Sequence, residues 1–243
     1  MLKGKKPLTV LSDVSFTVDV NEFICIIGPS GCGKTVLLSI LGGFDKPTSG
    51  RVLIDGKLLE KPSQNHVTIF QDYKLLPWRT VRKNIELGFE GKNNIFTKKE
   101  IESIVDAQIE SVGLRGFEDY KPSEISGGMK QRVAIARALA VEPEIIFMDE
   151  PFGALDSITK ENMQLNLKRL LENKNKTVVF ITHDINEAVF LADRIIVMQP
   201  SPGRIHSIIT MDMPRNRVKH SKEFNEARDE VFERISSVFT NKS

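Results

Sequence analysis

The segment Gly28-Pro29-Ser30-Gly31-Cys32-Gly33-Lys34-Thr35 constrains this chain more than any other feature. It fits the pattern G-x4-G-K-[ST] and directly follows the apolar run Phe23-Ile24-Cys25-Ile26-Ile27. Such a run, with turn residues behind it, reads as a fully buried strand. The glycines let consecutive backbone N–H groups turn inward around phosphate oxygens, an approach that a Cβ would obstruct. A helix starting at Lys34 aims its positive dipole end at the same phosphates. In that setting Lys34 reaches the β- and γ-phosphates of a nucleoside triphosphate, and the Thr35 hydroxyl binds Mg2+. The competing reading is a glycine-rich turn without a ligand, but a strand before and a helix after are the context that phosphate binding requires.

The rest of the chain fits an α/β fold around that strand. Apolar and polar positions alternate at Val14, Phe16 and Val18, which predicts a half-exposed strand ahead of the buried one. Gly42-Gly43 close the helix that starts at Lys34, and short strands follow near 51–54 and 67–70. Ile101, Ile104, Val105, Ile109 and Val112 recur at helical spacing over 98–112. A helix over 127–140 leads through Val141-Glu142-Pro143-Glu144 into a strand over 145–148. Strand 177–182, helix 185–192 and strand 194–199 continue the alternation, which argues for a mainly parallel sheet. Segment 90–125 carries helices without strands and reads as a helical insertion. Residues 222–239 place Phe224, Ala227, Val231, Ile235 and Val238 on one face of a terminal helix packed on the main domain.

Composition narrows the setting. The 243 residues suit one large domain, and 40% hydrophobic with 27% charged residues is ordinary for a globular protein. A net charge of +2, with no dense Lys/Arg block, gives no reason to expect a nucleic-acid partner. Apolar runs are strand-sized, far below the roughly 20 residues that span a bilayer. The first residues lack the apolar core of a signal peptide, so a cytosolic location is expected. Of the two cysteines, Cys32 lies in the phosphate segment, where N–H groups and Lys34 should favour its thiolate. Cys25, in the buried strand, should react slowly.

A second acidic centre ends the strand Ile145-Ile146-Phe147-Met148. Asp149 there is placed to hold Mg2+, directly or through water, and Glu150 to polarise an attacking water. An Asp-Glu pair at a strand end can also be no more than a helix N-cap. Further on, Ser126-Gly127-Gly128-Met129-Lys130-Gln131-Arg132 opens the 127–140 helix with a hydroxyl and two glycines, a second anion site made of backbone N–H groups. An ordinary capped helix is the plain alternative.

The Ser126–Arg132 segment resembles the signature of the ATP-binding cassette (ABC) ATPases, and the resemblance runs from about Leu8 through essentially the whole chain. It implies a P-loop NTPase (ABC ATPase) fold: a mainly parallel sheet with an antiparallel β subdomain and a helical insertion. Residues 1–243 then form a single nucleotide-binding domain. Its helical subdomain, with the signature, covers about 90–140, and its C-terminal strand and helix cover about 200–243. It implies ATP and Mg2+ as ligands and a head-to-tail pair with a second copy, each signature closing on the other copy's ATP. Gln71, after the strand over 67–70, is similar to the glutamine that senses Mg2+ and the γ-phosphate. Ala154-Leu155-Asp156 resembles the loop that reaches across the pair, with Asp156 beside the nucleotide, and His183 the switch histidine that contacts the γ-phosphate.

Phe70-Gln71-Asp72-Tyr73-Lys74-Leu75-Leu76-Pro77-Trp78-Arg79-Thr80-Val81, with Pro202-Gly203-Arg204-Ile205 and Met213-Pro214-Arg215, is similar to importers of nitrate, sulfonates and taurine. That likeness implies two membrane permease subunits, an extracytoplasmic solute-binding protein and a peripheral place on the cytoplasmic face of the cell membrane. An exporter subunit and a soluble ABC machine acting on ribosomes or DNA are the rival readings. One cassette without coiled-coil or zinc insertions favours the importer. Leu75, Leu76, Pro77 and Trp78 either tuck in as local core or face a permease helix. One departure concerns adenine: related cassettes carry an early aromatic that stacks on the base, and none precedes Phe16 here. Either the base is held by weaker contacts or the natural start lies upstream of Met1.

Overall fold

The computed structural model describes residues 8–63, 65–90, 95–153, 155–172 and 176–240. The residues ahead of Leu8, where related cassettes carry the early aromatic, and Ala154 of the expected cross-pair loop fall outside that set. In chain order the elements are β1 (Phe23–Ile27), α1 (Lys34–Leu41), β2 (Leu53–Ile54), β3 (Lys57–Leu58), β4 (His66–Ile69), α2 (Val81–Glu86), α3 (Lys98–Ser111), α4 (Gly127–Ala140), β5 (Ile145–Asp149), α5 (Ser157–Glu172), β6 (Thr177–Ile181), α6 (Ile185–Leu191), β7 (Arg194–Gln199), β8 (Arg204–Thr210) and α7 (Lys222–Thr240). They fall into two compact units, residues 1–61 with 179–243, and residues 62–178.

The first unit is built on strands in the order β6–β1–β7–β8. β1 and β7 run parallel, Ile24 opposite Arg194 and Ile27 opposite Val197, whereas β8 returns antiparallel along β7. Every residue of β1 and the four residues Ile195–Met198 of β7 are buried. That is why these strands read as continuous apolar runs rather than as alternations. α6 packs on β1, and α7 packs on α6 and the β7–β8 pair. Phe224, Val231 and Val238, seven residues apart, form the buried stripe of α7. A separate hairpin joins β2 and β3, pairing Leu53 with Leu58 through a turn at Asp55-Gly56. Both turn residues have positive φ (49° and 75°), the geometry a two-residue hairpin prefers.

The half-exposed strand expected between residue 8 and β1 does not form. Before β1 a single bridge joins Leu11 to Gly203, and Asp13 at φ 53° turns the chain out of an extended path. The alternation is present, but among the described residues no ladder forms over it.

The second unit sets α2, α3 and α4 around one another, beside the parallel pair β4–β5. Val133, Ala134, Ile135, Ala136, Ala138, Leu139 and Ala140 make α4 the central helix, buried along most of its length. α3 starts in a reciprocal cap. The Thr97 hydroxyl accepts from the Glu100 N–H (3.3 Å), and the Glu100 carboxylate accepts from the Thr97 N–H (2.7 Å). No helix among the described residues is long and apolar enough to cross a membrane.

Candidate active site

In the first unit the phosphate segment leaves the C-terminal end of β1. Gly33 caps α1 at φ 91°, and a Cβ there would stand 2.7 Å from Leu11 Cδ2, so backbone angle and space both demand glycine. No side chain caps α1, and no acidic residue occupies its first turn. The N–H groups at that end are therefore left for an anion, with the favourable end of the helix dipole behind them. Around Gly31 no atom lies within 4 Å of where a Cβ would stand, and Ser30, Gly31 and Thr35 are exposed. The Lys34 ammonium is buried against the loop, donating to the carbonyls of Gly28 (2.8 Å) and Pro29 (3.2 Å). An open cradle with a cation folded over it fits a polyphosphate.

The floor of this cradle is not made by the segment itself. A Cβ on Gly203 would fall 2.1 Å from the Cys32 carbonyl oxygen and 2.9 Å from Leu11 Cδ2. The Gly203 N–H donates to Val10 O (2.8 Å), and the Ser12 N–H donates to Gly203 O (2.9 Å). Pro202-Gly203, noted in the sequence only as a point of likeness, thus packs directly beneath the loop. The signal was a Pro-Gly turn; what it supports depends on a contact across some 170 residues.

Cys32 corrects an expectation. Its side chain has no exposed surface. Burial raises its pKa, outweighing the lowering effect of Lys34, whose Nζ is 3.9 Å from Sγ. The thiol, not the thiolate, is the resting form. Burial pushes the Cys25 thiol up further still.

His183 follows β6, whose end is tied to β1 by the Thr182 N–H donating to Ile26 O (3.3 Å). His183 and the phosphate segment therefore emerge from adjacent strands of the first unit. The exposed His183 is flanked by a fixed framework. The Thr182 hydroxyl donates to the buried Glu187 carboxylate, the Asp184 N–H donates to the Thr182 oxygen (3.0 Å), and Asp184 caps α6.

The second unit carries the other candidates. β4 and β5 are in parallel register, Ile69 opposite Met148, so Gln71, Asp149 and Glu150 leave the same end of the pair. Asp149 is buried and Gln71 exposed. Glu150 holds φ 45°, a left-handed conformation costing a non-glycine residue about 1–2 kcal/mol. The plain N-cap reading of Asp149-Glu150 does not hold, because the next helix, α5, starts only at Ser157. Asp156 takes that role: its carboxylate accepts from the Thr159 N–H (3.0 Å), and hydrogen bonds from the Thr159 hydroxyl and N–H lower its pKa. Ser126 caps α4 by accepting from the Met129 N–H (3.2 Å), which leaves the hydroxyl proton free to donate. Ser126 and Gly127 are exposed at that end, as anion binding needs.

Among the described residues, no three or more His, Cys, Asp and Glu side chains group so as to hold a metal ion. Mg2+ bound through nucleotide phosphates needs only one or two protein side chains. Thr35, Asp149 and Gln71 supply oxygen donors of the type it takes.

Two further features had no clear signal in the sequence. Trp78 is 70% exposed, yet the loop that carries it is pinned. The buried Asn84 amide accepts from the Leu76 N–H (2.8 Å) and donates to the carbonyls of Leu76 (3.1 Å), Arg79 (3.0 Å) and Thr80 (3.0 Å). Leu75 and Leu76 are half-buried, so the local-core reading holds for part of this loop and fails for Trp78. Second, Tyr73 and Lys74 both hold positive φ (59° and 46°), and Arg137 of α4 binds both of their carbonyls (2.9 and 2.8 Å).

Comparison with known proteins places these features in a family. A family model described as ABC transporter matches residues 11–153. The aliphatic sulfonates import ATP-binding protein SsuB of Bacillus cereus is 43% identical over 96% of this chain and 91% of its own length. The nitrate import ATP-binding protein NrtD of Synechococcus elongatus is 46% identical over 87% of this chain and 78% of its own. A dimeric ATP-binding cassette solved in a post-hydrolysis state, bound to ADP and Pi, is 36% identical. It superposes with a TM-score of 0.79, covering 88% of this chain and 96% of that one. A match to more than half of the chain, with relatives this similar along most of its length, leaves one conclusion: the chain belongs to the ABC transporter family.

Proposed function

We propose that this chain is the ATP-binding and ATP-hydrolysing subunit of an importer for a small anion of the sulfonate or nitrate kind. It works as a head-to-tail pair with a second copy, on the cytoplasmic face of the membrane. There it docks on two permease subunits that receive solute from an extracytoplasmic binding protein. The observation that carries the reading is the phosphate cradle of the first unit, with its uncapped helix end and folded-over Lys34. The names of the sulfonate and nitrate relatives support the choice of importer over exporter and of a small anion as solute.

Gly28, Pro29, Ser30, Gly31, Cys32 and Gly33 present backbone to the phosphates, and Lys34 neutralises their charge. Mg2+, held by Thr35, Asp149 and Gln71, would withdraw charge from the phosphate oxygens as a Lewis acid. Glu150 orients and polarises the attacking water, and His183 donates to the γ-phosphate. Ser126, Gly127 and Gly128 of one copy close on the ATP of the other, with Asp156 reaching across beside them. Trp78, on its pinned loop, faces the permease.

Glu150→Gln tests this directly. It removes the group that polarises water but no phosphate contact, so ATP should still bind, turnover should fall by about 10²-fold or more, and an ATP-bound pair should accumulate on size-exclusion chromatography. A Glu150→Gln protein that hydrolyses ATP at the wild-type rate refutes the assignment.

A further inference from the structure

Tyr73 is bonded to the last turn of α4, and its hydroxyl lies beside the first. A Cβ on Gly127, in the first turn of the helix, would stand 3.6 Å from the Tyr73 hydroxyl. At the last turn, Arg137 Nη2 donates to the Tyr73 carbonyl (2.9 Å) and Nη1 to the Lys74 carbonyl (2.8 Å). The two acceptors are consecutive left-handed residues, and neither is glycine. Within the turn, the Tyr73 N–H reaches Phe70 O (3.2 Å) and the Lys74 N–H reaches Asp72 O (2.6 Å). The rigid two-pronged guanidinium of Arg137 matches this pair of carbonyls as a single ammonium cannot. Gln71 stands two residues ahead of Tyr73, and Ser126 one residue ahead of Gly127.

We propose that Arg137 and Tyr73 brace the Gln71 loop to α4, so that Gln71 and the Ser126 end of the helix shift as one body. Arg137 is then a positioning residue: it touches no nucleotide but transmits the state of Gln71 to the surface that closes on the second copy. This rests on the roles proposed above for Gln71 and Ser126. Such coupling requires an element that both sites bias; α4 is bonded to the Gln71 loop at its last turn and carries Ser126 at its first.

The test uses the full chain carrying Glu150→Gln, so that ATP-driven pairing is read without hydrolysis. Arg137→Met keeps length and loses both donors. It should weaken pairing at least tenfold while leaving the ATP affinity of the single chain within about twofold, and Arg137→Lys should fall between. Gln71→Ala should also weaken pairing. In that background, Arg137→Met should cost less than about twofold more, because the brace no longer has Gln71 to position. A residue that merely stabilised the fold would give additive losses, so additivity overturns the brace alone. Wild-type pairing in Arg137→Met, or in Gln71→Ala, overturns it as well. If the Met variant does not fold, the same cycle is run with Arg137→Lys. Absence of any ATP-driven pairing in the Glu150→Gln parent overturns the functional reading itself, and the brace with it.

Discussion

Replacing Asn84 by alanine should destabilise the second unit by about 3 kcal/mol, estimated from the bonds the amide makes. The side chain is fully buried and engages one N–H and three carbonyls of the loop from Leu76 to Thr80. Stranding the Leu76 N–H in a buried site costs about 1–3 kcal/mol, and each lost carbonyl contact adds roughly 0.5–1 net. For a chain of this size, 1 kcal/mol moves the melting temperature by about 2–4 °C, so a drop of roughly 9 °C is expected by circular dichroism. Asn84→Asp makes the loss depend on pH. It keeps the oxygen that accepts from Leu76 but turns an ionised oxygen toward three carbonyls, which raises the folded pKa above its unfolded value. The carboxyl therefore favours folding fully below the unfolded pKa, and that stability is lost as pH rises through the folded pKa. The Asp variant should melt at least as low as the Ala variant at neutral pH and recover on acidification. An Asn84→Ala protein melting within about 1 °C of wild type would mean that water replaces the amide, and the pinned-loop argument fails.

Both thiols should be inert in the native protein: maleimide should modify Cys25 and Cys32 only after unfolding, and rapid ATP-sensitive labelling of Cys32 would contradict its burial. Emission of Trp78, the sole tryptophan, should be red-shifted and quenchable by iodide; blue-shifted, unquenchable emission refutes its exposure. Trp78→Ala should change stability by less than about 0.5 kcal/mol, read from the same melts. Gly203→Ala should weaken ATP binding about tenfold or more (1.4 kcal/mol) in calorimetry, because the new methyl meets the Cys32 carbonyl; wild-type affinity would show that the loop tolerates a shifted floor.

The fold was legible in the sequence wherever a local pattern and its tertiary partner agreed. β7 and α4 fall at the expected residues because a buried apolar run and a Ser cap followed by small apolar residues have few alternatives. The strand expected ahead of β1 failed because alternation specifies a face, not a neighbour. β3 was missed because a two-residue strand has no period, although Asp55-Gly56 marked its turn. α2 has six residues, with only Val81 and Ile85 as its apolar pair, and α5 exposes Ile158 and Leu165, which blurs its stripe. In the candidate site, motif residues announce themselves because backbone chemistry at strand ends demands certain residue types. The supports are silent: Arg137 looks like any helix arginine, and Asn84 like a surface amide, until the carbonyls they bind are brought to them. Cys32 was misjudged because sequence shows a nearby cation but not the loss of water.

The floor beneath the phosphate loop also sets an order of events during synthesis. Leu11 and Gly203 flank the Cys32–Gly33 backbone, so the loop is made early but completed late, when the turn before β8 has left the ribosome. Until then the glycines have nothing to lean on, and the phosphate segment stays unsupported while the intervening residues are translated. Non-local closure of this kind is slow. A nascent chain halted before residue 203 should therefore be blind to nucleotide, however complete its motif.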